Sequence, residues 1–137
     1  MNAIADTGFL VAMIQNNDEH HRWAVELASQ LSWPVLTCEA VLAEAAFHLR
    51  SSELVLGMLR DRVVRIAFDC ASQLDHLLDL ALRYTDRRPD LADLCLVRMS
   101  ELYPRHTVLT TDEADFRIYR RNKRDVIPMI CPPKKVS

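Results

Sequence analysis

Short apolar segments alternate with longer amphipathic segments along this chain. Each short segment has too few residues to form a helix with its own apolar face, and such segments are typical of strands buried on both sides. The predicted strands are residues 2–5, 33–37, 63–68, 106–110 and 126–130. The longer segments place apolar residues three and four positions apart, as amphipathic helices do. This alternation predicts an α/β fold with a mostly parallel sheet.

The predicted helices begin at residues that stabilise helix ends. Their ranges are 7–15, 38–51, 53–60, 71–84, 90–101 and 112–124, and a further helix opens at residue 18. Asp18 and Thr37 are expected to cap the second and third helices, because short oxygen-bearing side chains accept hydrogen bonds from the first free amides. Pro128 cannot donate to a neighbouring strand, so the last strand is predicted at an edge of the sheet.

Two helices have apolar residues that need a partner. In helix 71–84 the apolar side chains are predicted along one packed face; they are Leu74, Leu77, Leu78, Ala81 and Leu82. The segment from Leu54 to Leu59 carries more apolar bulk than one packing face requires. It is therefore predicted to form an interface.

Length and composition indicate one globular domain over residues 1–137, because a typical domain has about 100–200 residues. No apolar run approaches the roughly 18 residues of a membrane span, and the start lacks the basic segment of a signal peptide, so a cytoplasmic protein without membrane contact is expected. The four cysteines form no C-x-x-C pair, and we interpret them as reduced core or helix residues. A net charge of −2 is not the global signature of a nucleic-acid binder, so any polyanion must be bound locally.

Asp6 directly follows the first predicted strand. In open parallel sheets, ligands bind in the crevice outside the carboxyl ends of the strands. Asp6 is therefore a candidate functional residue by position. A purely structural role, as the N-cap of helix 7–15, is an equal alternative.

Glu44 lies among apolar neighbours in helix 38–51, with Val41 and Phe47 on its side of the helix. Burying an ionised carboxylate without a partner is costly, so a nearby cation or a water-filled cleft is expected. The alternative is a half-exposed position at the edge of the apolar stripe. The adjacent pair His20 and His21 lies about 100° apart on a helix, cannot bind one metal together, and is interpreted as surface or packing.

Two further pairs of acids stand at predicted helix starts. Asp90 and Asp93 share a face of helix 90–101, and Asp93 is set among leucines and alanine. The helix dipole explains one acid there, which leaves Asp93 as a functional candidate. Asp112 follows the fourth predicted strand and has capping-box spacing to Asp115, so a structural capping role for Asp112 is a strong alternative.

A run of cations follows these acids. Residues 117–124 contain five Arg and Lys side chains and one tyrosine. Such a run near an acidic crevice suits a phosphate backbone with unstacked bases; the predicted RNA-contacting residues are Arg117, Tyr119, Arg120, Arg121 and Lys123. The alternative is an ordinary solvated helix face.

Four acids thus come from four separate strand and helix segments: Asp6, Glu44, Asp93 and Asp112. If they converge at the carboxyl edge of the sheet they repel one another, and one or two Mg²⁺ or Mn²⁺ ions would relieve that repulsion. Such ions orient and activate water for attack on a phosphodiester. The sequence therefore predicts metal-dependent hydrolysis of a nucleic acid.

The same residues give the chain a resemblance to PIN-domain proteins, and in size and motifs to the VapC-type toxins of bacterial toxin–antitoxin pairs. The motifs that carry it are Asp6-Thr7-Gly8, residues 37–44 ending in Glu44, Asp90-Leu91-Ala92-Asp93, and residues 109–116 with Asp112. Each motif is weak alone, whereas four in order along nearly the whole chain are fairly specific. Leu94 departs from the alanine that many relatives have there.

This resemblance implies a PIN-like three-layer fold with a mostly parallel five-stranded sheet between helices. It implies an endoribonuclease that uses Mg²⁺ or Mn²⁺, is often a homodimer and is inhibited by a small antitoxin protein. Asp6, Glu44, Asp93 and Asp112 are the expected catalytic and metal-binding residues. Thr7, Asp90, Thr111 and Asp115 are the expected accessory residues.

Other functions fit less well. A response-regulator receiver needs an acidic pair after the first strand, and a phosphatase of the haloacid-dehalogenase type needs a second aspartate where Gly8 stands. The remaining alternative is a non-catalytic PIN-like module that binds RNA or protein. The presence of all four acids argues against it.

Overall fold

A computed structural model describes residues 1–134 of the chain, so the last part of the predicted tail, residues 135–137, lies outside the described residues. The strands are β1 (Ala3–Ala5), β2 (Val35–Thr37), β3 (Val64–Ile66), β4 (Thr107–Leu109), β5 (Arg120–Arg121), β6 (Asp125–Val126) and β7 (Met129–Ile130). The helices are α1 (Thr7–Ile14), α2 (His21–Ala28), α3 (Glu39–Leu49), α4 (Ser52–Arg60), α5 (Leu74–Arg83), α6 (Leu91–Leu102) and α7 (Glu113–Ile118). Short 3₁₀ turns cover Cys70–Gln73 and Thr85–Arg87.

Five strands form one parallel sheet in the order β3-β2-β1-β4-β7, and β5 pairs with β6 in a separate antiparallel hairpin. The sheet lies between helices, so the predicted three-layer α/β architecture is confirmed. The chain leaves β1 towards β2 and β3 and later returns to the other side of β1 as β4. A crevice opens where the strand order reverses, which here is between the carboxyl ends of β1 and β4.

The core is built from the three central strands and the helices that cover them. Ile4, Val35, Val108 and Leu109 are fully buried, as are Leu96 and Met99 of α6. Strands buried on both faces read as continuous apolar runs, which explains why the sequence pattern located β1, β2 and β4 within a few residues. The edge strands β3 and β7 were also predicted, although they are less buried. Met129–Ile130 is the edge strand, as predicted.

The apolar face of α5 differs from the prediction. Leu77 and Leu80 are buried, whereas Leu74, Leu78 and Leu82 are each more than half exposed. The buried face of α5 is centred on Leu77 and Leu80, and Leu80 was not among the residues predicted on that face. Three leucines four residues apart therefore remain on the surface.

Two predicted helix caps are wrong. The Thr37 hydroxyl donates to the carbonyl oxygen of Ala5 at 3.0 Å, and Cys38 is the N-cap position of α3. Asp18 accepts from the backbone N–H of His20 in the turn before α2, which itself begins at His21. In both cases a tertiary or turn hydrogen bond replaces the expected cap.

The predicted long cationic helix is also wrong. Helix α7 ends at Ile118, and the chain then forms the β5–β6 hairpin. Asn122 and Lys123 have φ values of 51° and 68°, the left-handed backbone that tight hairpin turns need. Val126 lies in this hairpin instead of the edge strand. Within residues 1–134, no helix has the length and hydropathy to cross a membrane.

Candidate active site

An acidic crevice of about 430 Å³ lies where the strand order reverses. The structure brings Asp6, Glu44, Asp93 and Asp112 together in its lining, and the expected accessory residues Thr7, Asp90 and Thr111 line it as well. These residues come from the ends of β1 and β4, from α3 and from α6. Residues far apart in sequence therefore meet at one edge of the sheet.

Asp6 holds the centre of this arrangement and is only 7% exposed. The backbone N–H of Thr7 donates to Asp6 Oδ1 at 2.7 Å, and the Thr110 hydroxyl donates to Oδ2 at 2.6 Å. Burial raises the pKa of Asp6 to about 6, with smaller contributions from the charges of Glu44 and Asp112, while the two hydrogen bonds oppose the rise. Asp6 caps α1 and also faces the crevice, so its two sequence-based interpretations are compatible.

Asp93 lies in the first turn of α6 and is 9% exposed. Its Oδ2 accepts a hydrogen bond of 3.0 Å from the Tyr119 hydroxyl, and its backbone N–H donates to Oδ1 of Asp90 at 2.8 Å. Asp90 is thus the N-cap of α6, so the Asp93 side chain does not cap this helix. Burial, followed by the charges of Asp90 and Asp6, raises the pKa of Asp93 to about 8.

Asp112 and Asp115 place two more carboxyl groups beside Asp93. Asp112 is the N-cap of α7 and accepts from the backbone N–H of Asp115 at 3.3 Å, while Arg87 donates to Oδ1 of Asp115 at 2.9 Å. Burial raises the pKa of Asp112. Among the described residues, Asp93, Asp112 and Asp115 are the group of three whose ligand atoms all lie within 4.8 Å of one another.

Glu44 reaches the crevice from α3. Its Oε2 accepts a hydrogen bond of 3.0 Å from the Thr7 hydroxyl, and the residue is half-buried. Glu44 therefore lies in an open crevice, and the Thr7 hydroxyl holds its carboxylate there. Phe47, predicted on the same apolar face, is 78% exposed and does not bury Glu44.

Gly8 allows the two sides of the crevice to approach. A Cβ atom at this position would lie 2.0 Å from Oγ1 of Thr111 and 3.0 Å from its Cβ. Only glycine permits this contact between the first turn of α1 and the loop that follows β4. The glycine after Asp6-Thr7 therefore keeps Asp112, the next residue after Thr111, near Asp6.

Several residues of this crevice were not predicted from the sequence. Asp18, Glu19 and His20 line it from the turn before α2, and His48 lines it one helical turn after Glu44. His21, in contrast, contacts the carbonyl oxygen of Ala12 through Nδ1 at 2.7 Å. The i+4 spacing of Glu44 and His48 was a usable signal, whereas nothing local indicates that the turn at 18–20 folds over the crevice.

The lining has a composition that suits a hard divalent cation. Its carboxyl groups outnumber its two histidines, and several carboxyl pKa values are raised by crowding and burial. Carboxylate oxygens are the ligands that Mg²⁺ and Mn²⁺ prefer. The residues present therefore fit such an ion.

The predicted RNA-contacting residues lie outside this crevice lining. For Tyr119 the prediction is wrong. Tyr119 is 1% exposed and packs against Phe116 and Tyr84, so it cannot stack on an RNA base. Arg121 donates to the carbonyl oxygens of Ser100 and Pro104 at 3.2 and 3.0 Å.

The other three cations of that set differ in their surroundings. Arg120 donates to the carbonyl oxygens of residues 117–119, and Arg117 pairs with Glu113. Both side chains therefore have partners within their own segment. Lys123 is exposed at the hairpin turn.

Comparison with known proteins agrees with this architecture. A family profile described as the PIN domain matches residues 3–122. The solved structure of VapC20 from Mycobacterium tuberculosis, described as a toxin that cleaves the sarcin–ricin loop, superposes with a TM-score of 0.66 at 18% identity, covering 78% of this chain and 87% of that chain. No curated protein sequence matches the chain. At this identity, the similarity establishes the fold.

Proposed function

Because this chain belongs to the PIN-domain family, we propose that it is an endoribonuclease that depends on Mg²⁺ or Mn²⁺ and acts as the toxin of a toxin–antitoxin pair. The observation that carries the proposal is the convergence of Asp6, Glu44, Asp93 and Asp112 in one crevice. A purely structural set of caps would not place four carboxyl groups together at the cost of raising the pKa values of Asp6, Asp93 and Asp112.

The three-carboxylate group of Asp93, Asp112 and Asp115 would hold the ion. Asp6 and Glu44 face the same crevice and would complete the ligand set or accept the proton of the attacking water. When bound, Mg²⁺ or Mn²⁺ orients and activates water and stabilises the leaving oxygen of a phosphodiester. The Thr7 and Thr110 hydroxyls hold Glu44 Oε2 and Asp6 Oδ2 in place, so these oxygens need little reorganisation during the reaction.

Exposed cations of α7 and the β5–β6 hairpin would bind the RNA backbone outside the crevice. Arg117 and Lys123 are exposed, and each phosphate that such a side chain neutralises releases counterions. VapC20 is described as acting on the sarcin–ricin loop; for the present chain the substrate class we propose is RNA.

A small antitoxin would dock on α4 and the adjoining groove. Leu54 and Leu56 are exposed on this helix, and with Ile14 and Met58 they line a groove of about 830 Å³. Large exposed apolar patches mark interaction sites. The occupant that fits is an apolar segment of a partner protein, which agrees with the interface predicted from Leu54 to Leu59.

A second copy of the chain would pair through α5. Leu74, Leu78 and Leu82 are spaced evenly and are exposed. In an antiparallel pair about a twofold axis at Leu78, Leu74 of each copy would meet Leu82 of the other, so the stripe is complementary to itself. We assign the expected homodimer contact to this face.

The deciding experiment incubates the purified protein with tRNA, rRNA and unstructured RNA in Mg²⁺, in Mn²⁺ and in EDTA. We expect cleavage that requires the metal, and at least about a hundredfold loss for Asp6→Asn and for Asp93→Asn. Asp75→Asn removes an exposed carboxylate of α5 and is the matched control, expected to cleave like the wild type.

Unchanged cleavage in both crevice variants would show that the four acids are not the active site. Binding of RNA without cleavage in either metal would favour the non-catalytic module instead.

A further inference from the structure

Three of the four cysteines converge on one cavity that the proposed function does not use. Cys38, Cys70 and Cys95 line a cavity of about 470 Å³ together with Phe68 and Leu91, and none of its lining residues belongs to the acidic crevice. The cysteines are 32 and 25 positions apart in sequence, so no local motif reveals their proximity. All four cysteines are free thiols in the structure.

The Cys95 thiol interacts with both other thiols of the cavity, and its interaction with Cys38 is the stronger one. Cys38 is the N-cap residue of α3, and Cys95 lies in α6, which packs against α3. The Cys38 thiol lies at the N-terminus of α3, within reach of the Cys95 thiol and of the backbone N–H groups of Ala40 and Val41. A thiol at a helix N-terminus that is stabilised as the thiolate is the more reactive one of a pair.

The geometry favours a pair of sulfur atoms over a metal cage. Within the described residues, no cysteine belongs to a group of three ligand atoms that all lie within 4.8 Å of one another. A soft metal ion would need three or four sulfur ligands already close together. A disulfide needs two.

We propose that Cys38 and Cys95 are a modification site at which hydrogen peroxide forms a reversible disulfide. Both residues are 2% exposed, but both line the cavity, which is large enough to admit a small oxidant and its product water. Cys131 is half-buried outside the cavity and takes no part.

The reaction has two steps. The Cys38 thiolate sulfur attacks one oxygen of hydrogen peroxide, the O–O bond breaks, and hydroxide leaves, so Cys38 becomes a sulfenic acid. The Cys95 sulfur then attacks the Cys38 sulfur, the S–O bond breaks, and the Cys95 proton leaves with the departing hydroxide as water. In total, two thiols and one peroxide give one disulfide and two waters, and two electrons pass from sulfur to oxygen.

The disulfide would tie two elements that carry crevice residues. Cys38 directly precedes α3, which holds Glu44, and Cys95 stands two positions after Asp93 on α6. A bond between these sulfur atoms would fix the N-terminus of α3 against α6. Formation of the bond is measured independently of RNA cleavage, so this proposal and the proposed nuclease activity can fail separately.

Tryptic mapping tests the pair directly, because each cysteine falls in a different peptide. The peptides are residues 23–50, 66–83, 88–98 and 125–134. After treatment of dilute full-length protein with hydrogen peroxide, we expect loss of two of the four thiols and a cross-linked species of 23–50 with 88–98 that dithiothreitol separates. The intact protein should remain a single chain, lighter by two hydrogen atoms.

Variants define the roles within the pair. Cys131→Ser should form the same disulfide as the wild type. Cys95→Ser should form none and should accumulate a sulfenic acid on Cys38 that dimedone labels. The wild-type peptide map needs no variant to fold, so it alone overturns the proposal if the cross-link involves 66–83 or 125–134, or if Cys38 and Cys95 stay reduced.

Discussion

The hydroxyl of Tyr119 donates a hydrogen bond of 3.0 Å to Oδ2 of Asp93, and both residues are buried. Tyr119 stands where α7 gives way to the β5–β6 hairpin. The chain turns inward at this point, which packs the ring against Phe116 and Tyr84 and brings the hydroxyl to a crevice acid. A residue predicted to stack on RNA is thus a buried support for the site.

Tyr119→Phe should weaken metal binding without unfolding the protein. The hydrogen bond favours the ionised form of Asp93, so its loss should raise the pKa of that carboxyl further. We expect metal affinity at neutral pH to fall severalfold and the acidic limb of the pH–rate profile to move upward. Tyr103→Phe is the control, since Tyr103 donates to the Ala67 carbonyl oxygen. Equal effects in both variants would contradict the assignment.

Metal binding should release a proton near neutral pH. Asp93, with a pKa of about 8, is mostly protonated at pH 7 before metal binds and must ionise to become a ligand. Calorimetry in buffers with different ionisation enthalpies should show about one proton released per Mg²⁺ or Mn²⁺ at pH 7 and less at pH 9. Asp93→Asn should lose most of this release. A binding enthalpy that does not depend on the buffer would contradict the prediction.

The metal-free protein should lose stability as pH rises. For Asp93 the folded-state pKa is about 8 and lies above the unfolded value of about 3.9. The folded state therefore binds more protons between these values, so the free energy of unfolding declines from about pH 4 to about pH 8. Asp6 acts in the same direction up to about pH 6.

Asp93→Asn should therefore raise the melting temperature in EDTA at pH 7 while it abolishes cleavage. The asparagine keeps an acceptor for the Tyr119 hydroxyl and is neutral at every pH, so the folded variant no longer has to take up the proton that buried Asp93 requires. Relief of about 1 kcal/mol would raise the melting temperature by roughly 4 °C in a domain of this size. Metal should stabilise the wild type by roughly 2.7 kcal/mol at a hundredfold excess over Kd, and the variant by less. A lower melting temperature for the variant would indicate a structural role for Asp93.

Substitution of Arg121 should lower stability, whereas substitution of Lys123 should lower RNA affinity. Arg121 donates to two carbonyl oxygens near the end of α6, so Arg121→Ala should lower the free energy of unfolding by about 1–2 kcal/mol. Lys123 is exposed at the turn, so Lys123→Ala should leave stability within about 0.5 kcal/mol. The RNA affinity of the Lys123→Ala variant should fall, and the slope of log affinity against log salt should become shallower by about one. An unchanged slope would show that Lys123 stays in solvent and contacts no RNA phosphate.

Leu56→Asp and Leu78→Asp should affect different partners. Leu56→Asp should weaken the antitoxin complex and leave self-association and RNA cleavage nearly intact, because Leu56 is exposed on α4. Leu78→Asp should shift sedimentation of the free protein towards the monomer and leave the antitoxin complex intact. Each variant is the control for the other. Loss of both associations in one variant would indicate misfolding.

Local patterns determined much of this structure. The buried parallel strands were visible as short apolar runs, because a strand buried on both faces needs apolar side chains at every position. The position of the acids at the carboxyl edge of the sheet could be predicted, because the alternation of strands and helices shows where each strand ends. Asp90 and Asp112 were placed correctly at caps because capping is a contact between residues close in sequence.

Tertiary contacts decided the remainder. The rotation of α5 that exposes Leu78, the end of α7 at Ile118 and the burial of Tyr119 depend on which surface packs against each element. His20 at the crevice and Cys38 beside Cys95 result from chain segments that approach only after folding. Periodicity and capping describe interactions within a few residues of one another, whereas these contacts join residues far apart in sequence, and their free energy exists only in the packed molecule.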